Sequence, residues 1–206
     1  MYNTKERILL TALRLFARDG YEAVSTSMIA GELGMTKGAL YKHYKNKQDI
    51  FDCIIERMYQ IDRERSTEYG VPVETYENDP LSYKNVSMEQ DIAYTKEQFR
   101  FFTKDEFGVN FRKMLTLEQY RNPVAADMYQ KILSSGVFAY SIDIIREMID
   151  EGILKKGDPE LIALEFCGAM YLLISLSDAA YDRDRLENLM DAHIKQLIEK
   201  YSVTST

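Results

Sequence analysis

Positive charge is scarce in this chain: 26 Lys and Arg stand against 33 Asp and Glu over 206 residues, a net charge of −7. A protein that met nucleic acid over its whole surface would need the opposite balance, because phosphates are held by clustered Lys and Arg. Cysteine is also scarce. Cys53 and Cys167 lie too far apart in sequence to suggest a disulfide framework, and with only His43 and His193 beside them they make no four-ligand zinc site. The expectation is a reducing compartment, no metal and no cofactor. No long apolar run is present: the longest, around Phe166–Leu176, contains Ser175 and falls short of the roughly 20 residues that span a bilayer. The opening MYNTKERILL has neither the apolar core nor the cleavage site of a signal peptide. These absences point to a cytoplasmic protein without a membrane partner. With 46% apolar residues there is material for a folded core, in one long domain or two short ones.

Proline is rare as well (four residues), and no β-type alternation of useful length appears. Apolar residues recur at three- and four-residue spacing almost throughout, so the expected fold class is all-α. A first helix is expected over Thr4–Arg18, with Ile8, Ala12, Leu15 and Phe16 as its buried stripe and Asp19-Gly20 as its stop. Ser25-Thr26 supply hydroxyl caps for a second, short helix that buries Ile29 and Leu33 and stops at Gly34. Thr36 caps a third, running through Lys37 to Tyr44. Two short helices joined by a tight glycine-containing turn are the helix-turn-helix signature. A fourth helix follows Lys45-Asn46-Lys47, carrying Ile50, Ile54 or Ile55, Met58 and Ile61 at helical spacing.

From about Arg65 to Asn85 the periodicity fails, and Gly70, Pro72, Asn78-Asp79-Pro80 and Asn85 mark a linker or long loop. Further helices are expected over 88–104, 107–119, 123–150, 159–181 and 183–201. The helix over 123–150 would reach about 40 Å at 1.5 Å per residue. Ser134-Ser135-Gly136 in its middle is a candidate kink, or a place where glycine permits close packing.

Charge is not uniform along this chain. Residues 1–48 hold eight Lys and Arg (Lys5, Arg7, Arg14, Arg18, Lys37, Lys42, Lys45, Lys47) and four acids (Glu6, Asp19, Glu22, Glu32), a sum of +4, which leaves −11 on the remainder. Such an asymmetry suits a nucleic-acid-binding end joined to an acidic body.

The residues that settle the reading are Ile8-Leu-Leu-Thr-Ala-Leu-Arg-Leu-Phe16, Gly20-Tyr21, Ser25-Thr-Ser-Met-Ile-Ala30, Gly34-Met-Thr-Lys-Gly-Ala-Leu-Tyr-Lys-His-Tyr44 and Lys47-Gln-Asp-Ile-Phe51. In order and spacing this segment resembles the N-terminal domain of the TetR family of bacterial transcriptional regulators, over about residues 2–62. The resemblance implies a three-helix DNA-binding domain over 2–62, with its helix-turn-helix at about 25–44. The remaining 63–206 would be a helical-bundle domain for ligand binding and dimerisation.

A recognition helix enters the major groove by its N-terminus, so its opening residues reach base edges while nearby hydroxyls and amides hold phosphates. Thr36, Lys37 and Gly38 are therefore expected at the groove. Gly38 would allow close backbone approach, and Lys37 would read guanine O6/N7 or hold a phosphate. Tyr41 and Lys42 follow one turn on, and His43 is a candidate phosphate or sugar contact. Thr26 and Lys47 match positions that clamp the DNA backbone in the family. Leu40 and Tyr44 are expected to fill the core of the three-helix domain, and Lys45 to be a solvated charge.

The sequence departs from the family pattern at Tyr44, where Phe is usual, at Lys42, where an aromatic is common, and at Met28, where an acid would complete a capping box.

The acidic body holds 19 of the 24 aromatic residues. Adaptable apolar side chains with phenolic handles suit a drug-sized ligand as a group, although each one taken singly reads more readily as core. Phe102, Met114, Tyr120, Met128, Phe138, Phe166 and Met170 are the candidates to line an effector pocket. The segment 159–201 is the expected homodimer surface: its first helix is apolar nearly all round, and the second carries a clean stripe that includes His193. Glu165, alone among apolar neighbours, would be a partner for a cationic ligand or half of an ion pair.

These features lead to a DNA-binding regulator, a homodimeric repressor that leaves a palindromic operator when a small molecule occupies the body. An enzyme is disfavoured, since no nucleophile pairing, P-loop, Rossmann glycine fingerprint or metal-ligand cluster is present. A helical small-molecule-binding or protein-interaction module, with a merely structural helix-turn-helix, is the alternative.

Overall fold

A computed structural model describes residues 3–179 and 182–203. The described residues form eleven helices: α1 (Thr4–Asp19), α2 (Thr26–Glu32), α3 (Lys37–Leu40), α4 (Lys47–Tyr69), α5 (Pro80–Lys84), α6 (Met88–Thr103), α7 (Glu106–Glu118), α8 (Pro123–Leu133), α9 (Ser135–Asp150), α10 (Pro159–Leu176) and α11 (Arg183–Tyr201). Extended pairing among them is limited to one isolated bridge between Leu154 and Ser202. The expected domain start at Tyr2 and the expected helix end at Tyr181 lie outside the described residues.

The helices group into two compact units. One takes the described residues through Asp62 together with Glu106–Tyr129; the other takes Arg63–Asp105 and the described residues from Gln130 on. The sequence reading divides the chain once, at 62/63, and gives everything after it to the second domain. In the structure α7 packs against α1, which brings Glu106–Tyr129 into the N-terminal unit.

In the N-terminal unit, Asn3 caps α1 by accepting the Glu6 amide at 2.9 Å, and Ile8, Ala12, Leu15 and Phe16 are all buried. Gly20, at φ 84°, ends the helix and donates its N–H to the Phe16 carbonyl. That left-handed conformation is one that glycine adopts without strain. Phe16, Tyr21 and Phe51 meet with ring centroids 5.2 Å apart and fill the space between α1 and α4.

Three expectations change. The third helix is shorter than 37–44: beyond Leu40 the chain tightens into three-residue hydrogen bonds, with Lys42 N–H to Ala39 and His43 N–H to Leu40. This tightening turns Tyr44 into the core. The fourth helix does not fail at Arg65 but continues to Tyr69, because Arg65 and Ser66 are polar residues with a buried face. Within the expected linker, Asp79 caps the short α5.

The predicted 40 Å helix is two helices. Ser134, at φ −142° and ψ −111°, breaks it, and the chain folds back so tightly that a Cβ on Gly136 would lie 2.1 Å from the Lys131 carbonyl oxygen. Both readings of the Ser-Ser-Gly run therefore apply: it is a break, and it needs glycine.

In the second unit α9 packs on α10 and α5, and α6 and α10 each pack on α11. Lys96, Arg100 and Lys104 of α6 pair with Asp191, Glu187 and Asp184 of α11. By length and composition α10 is apolar enough to cross a membrane, with mean hydropathy 1.5 over 18 residues.

Candidate nucleic-acid interface

The helix-turn-helix is built by its caps. Ser25 accepts the Met28 amide at 3.2 Å to start α2, and Thr36 accepts the Ala39 amide at 3.2 Å to start α3. Each cap satisfies one of the amides that a helix start leaves without a partner. Met28 at the third position of α2 has no side chain to return the bond, so the capping box is absent there, as the sequence implies. Gly34, at φ 65°, makes the turn between the two helices.

Thr26 and Tyr41, separately expected at DNA, prove to be joined: the Thr26 hydroxyl lies 3.2 Å from the Tyr41 hydroxyl. Thr26 is buried, while Tyr41 is 43% exposed. The Lys37 ammonium sits over the Tyr41 ring at 5.6 Å, and the bond to Thr26, with help from Lys37, holds the Tyr41 phenol below its ordinary range. Tyr41 is thereby fixed as a platform beside the start of α3.

Thr36, Lys37, Gly38, Lys42 and His43 are all exposed. Nothing inside the protein requires glycine at 38, since the nearest atom to a Cβ there would be the Thr36 hydroxyl oxygen at 4.0 Å. Among the cations of this end, Arg14 and Arg18 are neutralised by Glu32 and Asp19, each at 2.7 Å. No acid pairs with Lys37 or Lys42 among the described residues, so the uncompensated charge lies along the start and end of the α3 turn.

Lys47 is placed differently from a free phosphate clamp. Its ammonium donates to the Tyr21 carbonyl at 2.7 Å and lies 4.1 Å from the centre of the Tyr21 ring, leaving its other two N–H groups to face outward contacts. Tyr21 is a hub that sequence reasoning missed. Its hydroxyl donates to Gln48 at 2.9 Å, and its amide donates to the carboxylate of Glu118 at 2.8 Å. Glu118 is 2% exposed and comes from α7. Nothing local marks it, because its partner lies 97 residues away. Leu40 and Tyr44 are core, as their spacing implies, and the Tyr44 hydroxyl is spent on the Lys5 carbonyl at 3.1 Å.

The expected effector residues divide between the two units. Met114, Tyr120 and Met128 fall in the N-terminal unit, and Phe102, Phe138, Phe166 and Met170 in the second. Met114 and Met128 are fully buried. Tyr120 is 88% exposed in the turn after α7.

What the second unit does assemble is a tyrosine-rich cluster that the sequence reading only partly anticipated. Tyr83 is buried with Val71, Val86, Ile144, Met148 and Leu154, and half-buried Tyr69, Tyr76, Tyr94 and Tyr140 pack against them. Glu165 is half of an exposed ion pair within the chain, with Lys200 at 2.8 Å and the Tyr201 hydroxyl at 2.8 Å; these partners hold its carboxyl below the ordinary range. His193 Nε2 lies 3.3 Å from the Glu165 carbonyl oxygen.

Residues 8–54, the stretch that contains these caps and this turn, match the family model for bacterial regulatory proteins of the tetR family. Over this stretch the chain is similar to the TetR family. Among similar proteins, the HTH-type transcriptional regulator AcrR of Shigella flexneri is 39% identical over 136 residues, covering 63% of the chain and 60% of the relative. The match thus spans less than two thirds of that relative's length.

Among solved structures, a TetR-family regulator from Marinobacter aquaeolei aligns over 98% of the chain and 93% of its own length, with a TM-score of 0.68 at 19% identity. SmeT of Stenotrophomonas maltophilia, the repressor of a multidrug efflux pump, aligns in its triclosan complex over 98% and 93%, with a TM-score of 0.63 at 20% identity. At these identities the likeness is one of fold.

Proposed function

We propose that this protein is a cytoplasmic, ligand-responsive transcriptional repressor. It would bind a palindromic operator as a homodimer and release it when a small molecule occupies the second unit. The observation that carries the DNA role is the exposed, uncompensated face of α3. Thr36, Lys37, Gly38 and Lys42 are exposed, Lys37 lies over Tyr41, Tyr41 is braced by Thr26, and glycine at 38 answers no need inside the protein. Repression follows the role named for SmeT, and an effector of drug size follows its triclosan complex.

Dimerisation is supported by the apolar surface that α10 and α11 leave uncovered. Leu161 is 64% exposed, and Leu164, Tyr171, Leu172 and Leu189 are likewise exposed. A four-helix contact between two copies would cover them. The two recognition helices would then read half-sites about one helical turn, ~34–36 Å, or a multiple of it, apart.

The test is binding of the full chain to duplexes drawn from its own genome, followed by fluorescence anisotropy across a salt series. Replacing both Lys37 and Tyr41 by Ala is expected to weaken specific binding by about 10–100-fold and to lower the salt slope by about one. Unchanged affinity would leave the helix-turn-helix a structural element and favour the interaction-module reading. Leu161→Asp with Leu172→Asp is expected to give a monomer by light scattering and to abolish palindrome recognition.

A further inference from the structure

The network that holds the start of α4 reaches outside the segment that matches the family model. That segment closes at residue 54, and Glu118 stands far beyond it, at the last position of α7. Phe107, Phe111, Met114 and Leu115 are buried at helical spacing along α7, which packs on α1, so the end of α7 is held firmly in the N-terminal unit.

A buried carboxylate has to find donors, and this one takes a backbone amide: Tyr21 donates to Glu118 at 2.8 Å. The preceding residue makes room for it. A Cβ on Gly20 would lie 3.2 Å from the same carboxylate oxygen, so the Glu118 head fills the space that a side chain at 20 would need.

Tyr21 in turn holds the first two residues of α4. Its carbonyl accepts the Lys47 ammonium at 2.7 Å, its ring centre lies 4.1 Å from that ammonium, and its hydroxyl donates to the Gln48 side chain at 2.9 Å. Carbonyl and ring are both neutral, so Lys47 keeps its full charge for an outside anion. What they take away is freedom: a lysine stem loses rotamer entropy when a contact fixes it, and this stem is fixed beforehand. The amide that Glu118 holds and the carbonyl that holds Lys47 share one Cα, that of Tyr21. A shift of one moves the other.

We propose that Glu118 is a positioning residue for DNA binding, acting through Tyr21 to hold the Lys47 ammonium where a backbone phosphate can meet it, an assignment that rests on reading the N-terminal unit as the DNA-binding one. Without Glu118 the buried Tyr21 amide must move to find an acceptor, and the carbonyl seat of Lys47 moves with it. Lys47 then meets phosphate as an unrestrained surface lysine. A merely structural Glu118 weakens every DNA contact alike, whereas a positioning one weakens the contact of Lys47.

The experiment is a double-mutant cycle on the full chain, read by fluorescence anisotropy with a random-sequence duplex of about 30 base pairs, since a phosphate contact needs no operator. Lys47→Ala is expected to weaken binding roughly five- to tenfold at about 0.1 M salt and to lower the salt slope by about one. Glu118→Ala should weaken binding by about threefold or more while Lys47 is present, and by nothing further once Lys47 is Ala. Glu118→Gln keeps an acceptor oxygen and should restore binding to within about twofold. Equal losses from Glu118→Ala in both backgrounds, or none in either, would overturn the positioning role, as would a Lys47→Ala protein that binds like the unsubstituted one. If Glu118→Ala fails to fold, Glu118→Asp carries the same cycle: it keeps the charge, draws the carboxylate back by one methylene, and must show the same dependence on Lys47.

The unsubstituted chain separates this role from the reading beneath it. No salt-dependent binding to any duplex overturns the DNA role and the positioning role together. Salt-dependent binding with equal losses in both backgrounds keeps the DNA role and overturns the positioning role alone.

Discussion

The two units treat buried polar groups in opposite ways. In the N-terminal unit the buried Glu118 carboxylate receives the Tyr21 amide, the Tyr21 carbonyl receives Lys47, and the Tyr44 hydroxyl finds the Lys5 carbonyl. In the second unit Asp91 accepts the Tyr140 hydroxyl, and no basic side chain among the described residues acts on it. Among the described residues, the buried side-chain nitrogens and oxygens that lack a hydrogen-bond partner are three on Arg65 and one on Gln98, all in that unit. On the proposed reading, the difference matches what each unit would do. A unit that meets DNA, whose shape is given, gains by having its contact residues held in place beforehand. A unit that takes a small molecule can leave groups for that molecule to complete, at a cost in its own stability.

The sharpest test compares the unsubstituted protein with Asp91→Asn across pH, without ligand. The Asp91 carboxyl titrates at about 6 when folded against an ordinary 3.8, so the folded state binds the proton more tightly than the unfolded state does. Below about pH 4 both states are protonated and the group is neutral in its effect. As pH rises through about 6 the folded state must give up a proton it holds more firmly, and roughly 3 kcal/mol of stability is lost. Chemical unfolding at pH 4 and pH 7 should show the unsubstituted protein weakening by about that much relative to Asp91→Asn. Parallel curves would remove the unpaired acid, and with it half of the contrast.

Glu118→Ala probes the other side, with the opposite sign. It leaves the Tyr21 amide buried without an acceptor, which costs about 2 kcal/mol. For a chain of this size that is a drop of about 4–8 °C in melting temperature. Glu118→Gln, which keeps an acceptor oxygen, should recover part of it. Thr36→Ala removes the cap of α3 and should cost about 1 kcal/mol, measured by the same melts.

How much of this was legible in the sequence follows from how local each feature is. Ser25, Thr36, Gly20 and Gly34 act within four residues, so α1, α2 and the start of α3 could be read directly. The exposed set at Thr36, Lys37, Gly38 and Lys42 came with them. Partnerships formed by folding could not be read: Thr26 with Tyr41, Tyr21 with Glu118, and α7 with α1. Arg65 and Ser66 looked like the end of a helix because they are polar, and only their burial shows that α4 goes on. Asp91 stands among the first-turn acids of α6, a position favourable to the helix dipole and without a mark in the sequence. What makes it unusual is that, among the described residues, no basic side chain acts on it once the chain is folded, which no spacing rule reports.

The smallest expected effect is also the one that most directly tests the idea of an incomplete second unit. Arg65 lies 9% exposed, with its guanidinium 4.3 Å from the centre of the Phe101 ring and its nearest acid, Glu97, at 4.0 Å. Its stem contributes packing, but none of its three nitrogens has a hydrogen-bond partner among the described residues. Arg65→Met keeps the stem volume and a sulfur contact with the ring while removing a charge that only the Phe101 ring face and Glu97 at 4.0 Å meet. Stability should therefore change by less than about 1 kcal/mol, and in the favourable direction, as when a poorly paired buried ion is replaced by an apolar side chain of similar size. A loss of 3 kcal/mol or more in urea unfolding would mean that the guanidinium is a satisfied structural cation. The second unit would then differ from the first at Asp91 and Gln98 among the described residues.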